Sequence, residues 1–145
     1  MARQQSDTCL FCQIIRGEIP AQFVFENKTS VAFLDHRPLF PGHVLLVPRE
    51  HVVTLPDLPA ELVSPLFTSA QRLCRAVQSA LQAEGTFVAM NNIVSQSVPH
   101  LHIHIVPRRK KDGLKGFFWP RHPYKDADEA TAVQNAIRAA CAAEK

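Results

Sequence analysis

The chain is short of several things, and each shortage removes a class of protein. No apolar run approaches the roughly 20 residues that cross a bilayer, so no membrane helix is expected. The opening segment, MARQQSDTC, is polar and lacks a signal-peptide pattern, so a soluble cytoplasmic protein is expected. Charge of neither sign dominates: 16 Lys and Arg face 13 Asp and Glu, for a net charge of +3. That balance suits a small anionic ligand but not a nucleic-acid binder. There is no internal repeat and no low-complexity tract, which sets aside solenoids and disordered chains. Cysteine is scarce, at positions 9, 12, 74 and 141, and is not expected to pair as disulfides in the compartment expected here. In a reducing compartment such thiols stay free or bind metal. What remains is 145 residues, 46% of them hydrophobic, enough for one ordinary domain with a real core.

Five short runs have strand character: QFVFEN (22–27), VAFL (31–34), HVLLVP (43–48), FVAMN (87–91) and HLHIHIVP (100–107). Prolines and glycines sit at their ends, where no ladder hydrogen bond is lost. Between the third and fourth runs, Leu66, Ala70, Leu73, Val77 and Leu81 recur at helical spacing. Ser64 is the expected cap, Pro65 the first helical residue and Gly85 the exit. A second helix is expected over 127–143, with Ala130, Val133, Ile137 and Ala140 on one face and Asp126, Asp128 and Glu129 at its amino end. Cys74 and Cys141 are expected to be packing residues. The result is an α+β domain spanning 1–145: a five-stranded, mostly antiparallel sheet, one long central helix and a carboxy-terminal helix, with the helices against one face.

The last run raises the functional question. His100, His102 and His104 alternate with Leu101, Ile103 and Ile105. In a strand, residues two apart share a face about 6.6 Å from one another. The histidines would form a row on one side while their apolar neighbours face the core. Packing alone seldom uses three imidazoles in this way, because each ring nitrogen needs a partner. Two chemistries do. One is a metal centre held by neutral imidazoles, which a distant ligand such as His43 could complete. The other is phosphoryl chemistry, in which one imidazole attacks phosphorus and its neighbours hold the charged oxygens.

The stretch QSVPHLHIHIVPR resembles the signature of the histidine-triad (HIT) superfamily of nucleotide hydrolases and transferases. VAFLDHRPLFPGHVLLVPREHVVTL (31–55) is similar to that superfamily's upstream block, and CLFCQIIRGEIP (9–20) to its amino-terminal segment. The three blocks fall in the expected order over most of 9–108, the expected catalytic core, followed by a loop and helix over 109–145. The resemblance implies a HIT-like fold and hydrolysis of the α-phosphate bond of purine nucleotide conjugates, phosphoramidates or dinucleoside polyphosphates. It implies that His102 is an exposed nucleophile facing the pocket and forms a nucleotidyl-histidine. His104 would donate to a phosphate oxygen, and His43 would orient the triad or relay protons. Asp35 would accept from the ribose hydroxyls, or serve only as a turn residue. Phe33 would line the base pocket, or belong to the core. Asn91, or its neighbour Asn92, would meet the phosphate together with Gln96 and Ser97. A nucleotide-binding regulator with vestigial catalysis is the alternative in another class, and a metalloenzyme using the histidine row a third.

One departure stands out. Many relatives have a longer, glycine-bearing loop before Gln-Ser/Thr-Val, whereas this chain has only Ile93, Val94 and Ser95. Glycine permits positive φ and close backbone approach, so its absence bears on the phosphate contacts and the leaving group.

Cys9 and Cys12 form a lone C-x-x-C, which alone is shared by redox motifs and half zinc sites. The resemblance implies two further ligands, His51 and His100, and hence a structural Zn²⁺ at Cys9, Cys12, His51 and His100. It also implies a homodimer. No organic cofactor, nucleic-acid partner or membrane partner is expected. Arg109, Lys110 and Lys111 are expected on a solvated face, and Phe117, Phe118 and Trp119 against the core or a partner subunit.

Overall fold

The computed structural model describes residues 5–115 and 119–144. The chain groups into two compact units, Met1–Asp112 and Gly113–Lys145. The first unit holds helix α1 (Leu10–Ile15), strands β1 (Phe23–Glu26), β2 (Ser30–Leu34) and β3 (Val44–Pro48), helix α2 (Ala60–Leu81), and strands β4 (Gly85–Ala89) and β5 (Ile103–Arg108). The strands form one antiparallel sheet in the order β1-β2-β3-β5-β4. All five expected strands are present.

Alternation along the central strands divides the sheet into two faces. Ala32, Val44, Leu46, Ile103 and Ile105 join Leu66, Ala70, Leu73 and Val77 of α2 in one buried cluster. Val31, Phe33, Leu45 and Val47 point the other way and pack with Phe11, Cys12 and Ile14 of α1. Helices therefore cover both faces, not one as expected. Helix α1 escaped the sequence reading because it is six residues long, with no side-chain cap and no acidic residue in its first turn.

Helix α2 begins five residues before the expected Pro65. Pro65 lies inside it, lacking the N–H that would reach the carbonyl four residues back. Its far end closes at Gln82, which takes left-handed backbone (φ 52°), while Gly85 opens β4. Cys74 packs against the α2 cluster as expected.

In the second unit, helix α3 (Ala127–Ala143) matches the expected span. The Asp126 carboxylate accepts from the Glu129 N–H at 2.8 Å, and Asp128 and Glu129 occupy the favourable amino end. No residue of α3 is buried, and Cys141 is exposed rather than packed. Arg109, Lys110 and Lys111 are exposed as expected, while Arg108 forms a two-point pair with Asp112. Trp119 is largely exposed; Phe117 and Phe118 lie outside the described residues. Among the described residues, no helix is long and apolar enough to cross a membrane.

Candidate active site and metal centre

Strand register gathers the singled-out side chains. Phe33 pairs with Leu45, and Leu45 with His104. Just beyond β2, the Asp35 N–H donates to the His43 carbonyl at 2.9 Å. Asp35, His43, His104 and His102 thus share the α1 face. Gly42, which precedes His43, has φ +97°, and a Cβ there would meet Leu81 Cδ1 at 2.1 Å. Only glycine fits this turn, and the turn sets where His43 begins. Paired strand begins at Ile103, so His100 and His102 precede the ladder, contrary to the expected span. Their alternation persists nonetheless. The His102 and His104 rings lean together, with centroids 4.9 Å apart, closer than an ideal row.

Fixed backbone partners decide which ring nitrogens carry protons. The Leu39 N–H can only donate, and it points at His43 Nδ1 at 3.1 Å. A neutral His43 therefore holds its proton on Nε2, which lies 2.9 Å from His104 Nδ1. His104 Nδ1 must accept, leaving its own proton on Nε2. Burial pushes His104 down to about 4 and lowers His43 as well, so both rings are neutral at pH 7. His102 Nδ1 lies 2.7 Å from the His100 carbonyl, which can only accept. Its Nε2 accordingly bears the lone pair in the neutral ring.

His102 is not exposed as expected; the residue retains 3% accessibility, under the edge of Phe11 (centroids 5.1 Å, 88°). Residue burial and atom access differ here. Among the described residues, no buried side-chain nitrogen or oxygen is unpaired, and His102 Nε2 has no hydrogen-bond partner. That nitrogen therefore meets solvent while the rest of the ring is clamped.

The remaining expected residues divide. Asp35 Oδ1 accepts from the Arg37 N–H at 2.9 Å, a turn role, while Oδ2 lies 3.8 Å from His43 Nε2. Phe33 is 3% exposed and packs between Phe11 and Phe23. The Gln96 amide is engaged at both ends, accepting from the Ile93 N–H and donating to the Val53 carbonyl. Asn92 Oδ1 accepts from the Leu55 N–H, whereas Asn91 donates to the Ser95 carbonyl. Ser97 is exposed. The short loop achieves without glycine what glycine would allow: Ile93 and Ser95 take φ of 71° and 62°. Such backbone costs on the order of 1–3 kcal/mol per residue, most for a β-branched side chain.

Among the described residues, two clusters on this side of the sheet have donor sets suited to a metal: Cys9, Cys12, His51 and His100; and Asp35, His43 and His104. Tetrahedral zinc, with bonds of about 2.3 Å to sulfur and about 2.0 Å to nitrogen, sets a sulfur and a nitrogen about 3.5 Å apart. His100 Nδ1 lies 3.4 Å from Cys9 Sγ and 3.6 Å from Cys12 Sγ, and His51 Nδ1 lies 3.4 Å from Cys12 Sγ. The His100 ring donates from Nε2 to the Pro48 carbonyl at 2.8 Å, so Nδ1 offers its lone pair to the thiols. Burial pushes the Cys12 thiol up and holds His100 neutral, near 4. The first cluster fits zinc. In the second, His43 Nε2 and His104 Nδ1 are hydrogen-bonded directly to each other at 2.9 Å.

A family model for the HIT domain matches residues 16–111. The chain belongs to the HIT family. A HIT-fold structure from Streptococcus mutans superposes with a TM-score of 0.85 at 32% identity, covering 94% of this chain and 87% of that one. A zinc-bound histidine triad family protein from Mycobacterium smegmatis has a TM-score of 0.71 at 34% identity, covering 94% and 98%. The adenosine 5'-monophosphoramidase of Saccharomyces cerevisiae is 38% identical over 107 residues, 73% of this chain and 66% of its own length.

Within this HIT domain, the residue that sequence reasoning missed is Phe11. It packs edge-on against His100, His102 and Phe33 at once. Its signal was available in the helical spacing of Phe11, Ile14 and Ile15, inside the segment that carries the two cysteines.

Proposed function

We propose that this HIT protein hydrolyses purine nucleotide conjugates at the α-phosphate, with His102 as nucleophile. The observation that carries the reading is the hydrogen bond of His102 Nδ1 to the His100 carbonyl, which leaves Nε2 to attack, with the His104 ring beside it. His102 Nε2 bonds to phosphorus as the bond to the leaving group breaks; that group departs with a proton taken from solvent, and the attacking water of the second step returns one. His104 donates to a phosphate oxygen as charge builds. Water then attacks phosphorus, the Nε2–P bond breaks, and nucleoside monophosphate leaves with the His102 lone pair restored.

The Asp35 carboxylate receives the ribose hydroxyls, while Asn91 and the Ser97 hydroxyl meet the phosphate. Asn92 and Gln96 brace the loop that carries them. The name of the yeast relative favours a P–N bond as the one broken. Zinc held by Cys9, Cys12, His51 and His100 would tie the amino-terminal arm to the segment that bears His102, a structural role. A metalloenzyme built on the histidine row is disfavoured by the direct hydrogen bond between His43 and His104. Unpaired cysteines suit a reducing cytoplasm. Exposed Val63, Phe67 and Val88, on α2 and edge strand β4, suit a homodimer. Turnover of adenosine 5'-phosphoramidate by wild type, with loss in His102→Ala, is the expected result. A wild type that binds AMP yet hydrolyses neither this compound nor a dinucleoside polyphosphate is instead a nucleotide-binding regulator.

A further inference from the structure

The loop between β4 and the triad combines three properties that seldom occur together. It displays Ile93 and Val94 at 76% and 79% accessibility. It holds them on left-handed backbone at Ile93 and Ser95. And it is rigidly braced, by Asn92 to Leu55, by Gln96 to Ile93 and Val53, and by Asn91 to Ser95. A loop free to relax would not retain a β-branched residue in that conformation; strain held by bracing points to function.

The loop's position narrows what that function is. Strand β4 ends at Ala89, paired with His104, so the loop leaves the sheet beside the last histidine of the triad, whose ring lies against that of His102. At the other foot, Val98 packs into the cluster of Phe11, Cys12 and Phe33 that encloses the His102 ring. Both feet of the loop therefore flank the reactive imidazole. Residues 91–98 carry no charge. In an in-line displacement the leaving group departs from the side opposite the attacking nitrogen, toward solvent. A wall rising beside His102 meets that group.

We propose that Ile93 and Val94 form a rigid apolar lip that selects the leaving group, favouring an apolar amine over a charged one. This rests on the nucleotidyl-transfer reading above. The two β-branched side chains supply contact area, and the absence of any cation in the loop leaves a charged leaving group without compensation.

The test compares two adenosine phosphoramidates that share the scissile P–N bond, one bearing an arylethylamine and the other a carboxymethylamine. The kcat/KM ratio of the first to the second is measured for wild type, Ile93→Gly and Ile93→Gly/Val94→Ser, with AMP affinity and molecular mass alongside. Ile93→Gly removes an exposed side chain and relieves its backbone, so it folds at least as stably as wild type. The expected result is a ratio that favours the arylethylamine in wild type and falls about tenfold in the double variant, the scale set by losing a few apolar contacts. An active wild type with an unchanged ratio in the variants overturns the lip alone. An unchanged ratio with a shift in molecular mass also overturns it and assigns the pair to a subunit contact. A wild type inert toward both substrates overturns the nucleotidyl-transfer reading, and the lip with it.

Discussion

Two donor clusters lie along the same side of the sheet, and both are rich in histidine, yet their fixed neighbours set them to different work. At the His100 end, the Pro48 carbonyl accepts from the ring's Nε2–H and so turns a lone pair toward two thiols at metal-ligand spacing. At the His104 end, the Leu39 amide passes a constraint through His43 and leaves a proton between two rings. Residue type alone does not distinguish a metal site from a proton relay. The backbone group on the far side of each ring does.

The largest effect expected from this contrast is on metal content. Purified wild type should carry about one equivalent of zinc by mass spectrometry, Cys12→Ala should carry none, and His43→Ala should keep it. Stability of Cys12→Ala should fall by several kcal/mol, because metal binding energy contributes to folding. Zinc lost from His43→Ala and retained by Cys12→Ala would reverse the assignment.

Next in size is catalysis at the opposite end. His104→Ala should lower kcat on adenosine 5'-phosphoramidate by about 10²–10³, the scale of one transition-state donor, with zinc retained. His43→Ala acts through His104 and should cost less, about tenfold. Steady-state kinetics with metal analysis on the same samples would separate the two clusters.

The smallest effect is on acid stability. Folded His104 titrates near 4, below its ordinary 6.5, because burial disfavours the cation. Between those values the unfolded chain binds the extra proton. The stabilisation is complete above pH 6.5 and is lost as pH falls toward 4. Solvent around the half-buried ring reduces the effect to on the order of 1–2 kcal/mol. Urea midpoints from pH 7 to 4 should fall less steeply in His104→Ala than in wild type.

Much of this arrangement was legible in the residues. Alternation of imidazoles with Leu101, Ile103 and Ile105 fixed which side chains enter the core, since a strand allows no other sorting. The Cys9, Cys12, His51 and His100 quartet came from the family resemblance and is brought together here. What could not be read depends on third parties. The burial of His102 comes from Phe11, ninety-one residues away in sequence, on a helix with no capping signal. The separate roles of Asn91 and Asn92 depend on the Leu55 amide and the Ser95 carbonyl, backbone groups that no side-chain pattern reveals. The left-handed loop at Ile93 contradicts local propensity, and bracing by Gln96 offsets it.

The account turns on His102 Nε2 being the atom that bonds to phosphorus. Rapid acid quenching of the protein with adenosine 5'-phosphoramidate, followed by peptide mass spectrometry, addresses that bond directly. One adenylyl group mapped to His102, absent from His102→Ala, is the predicted result. Turnover with the adduct on a different residue, or with no adduct detectable at any quench time, would contradict it.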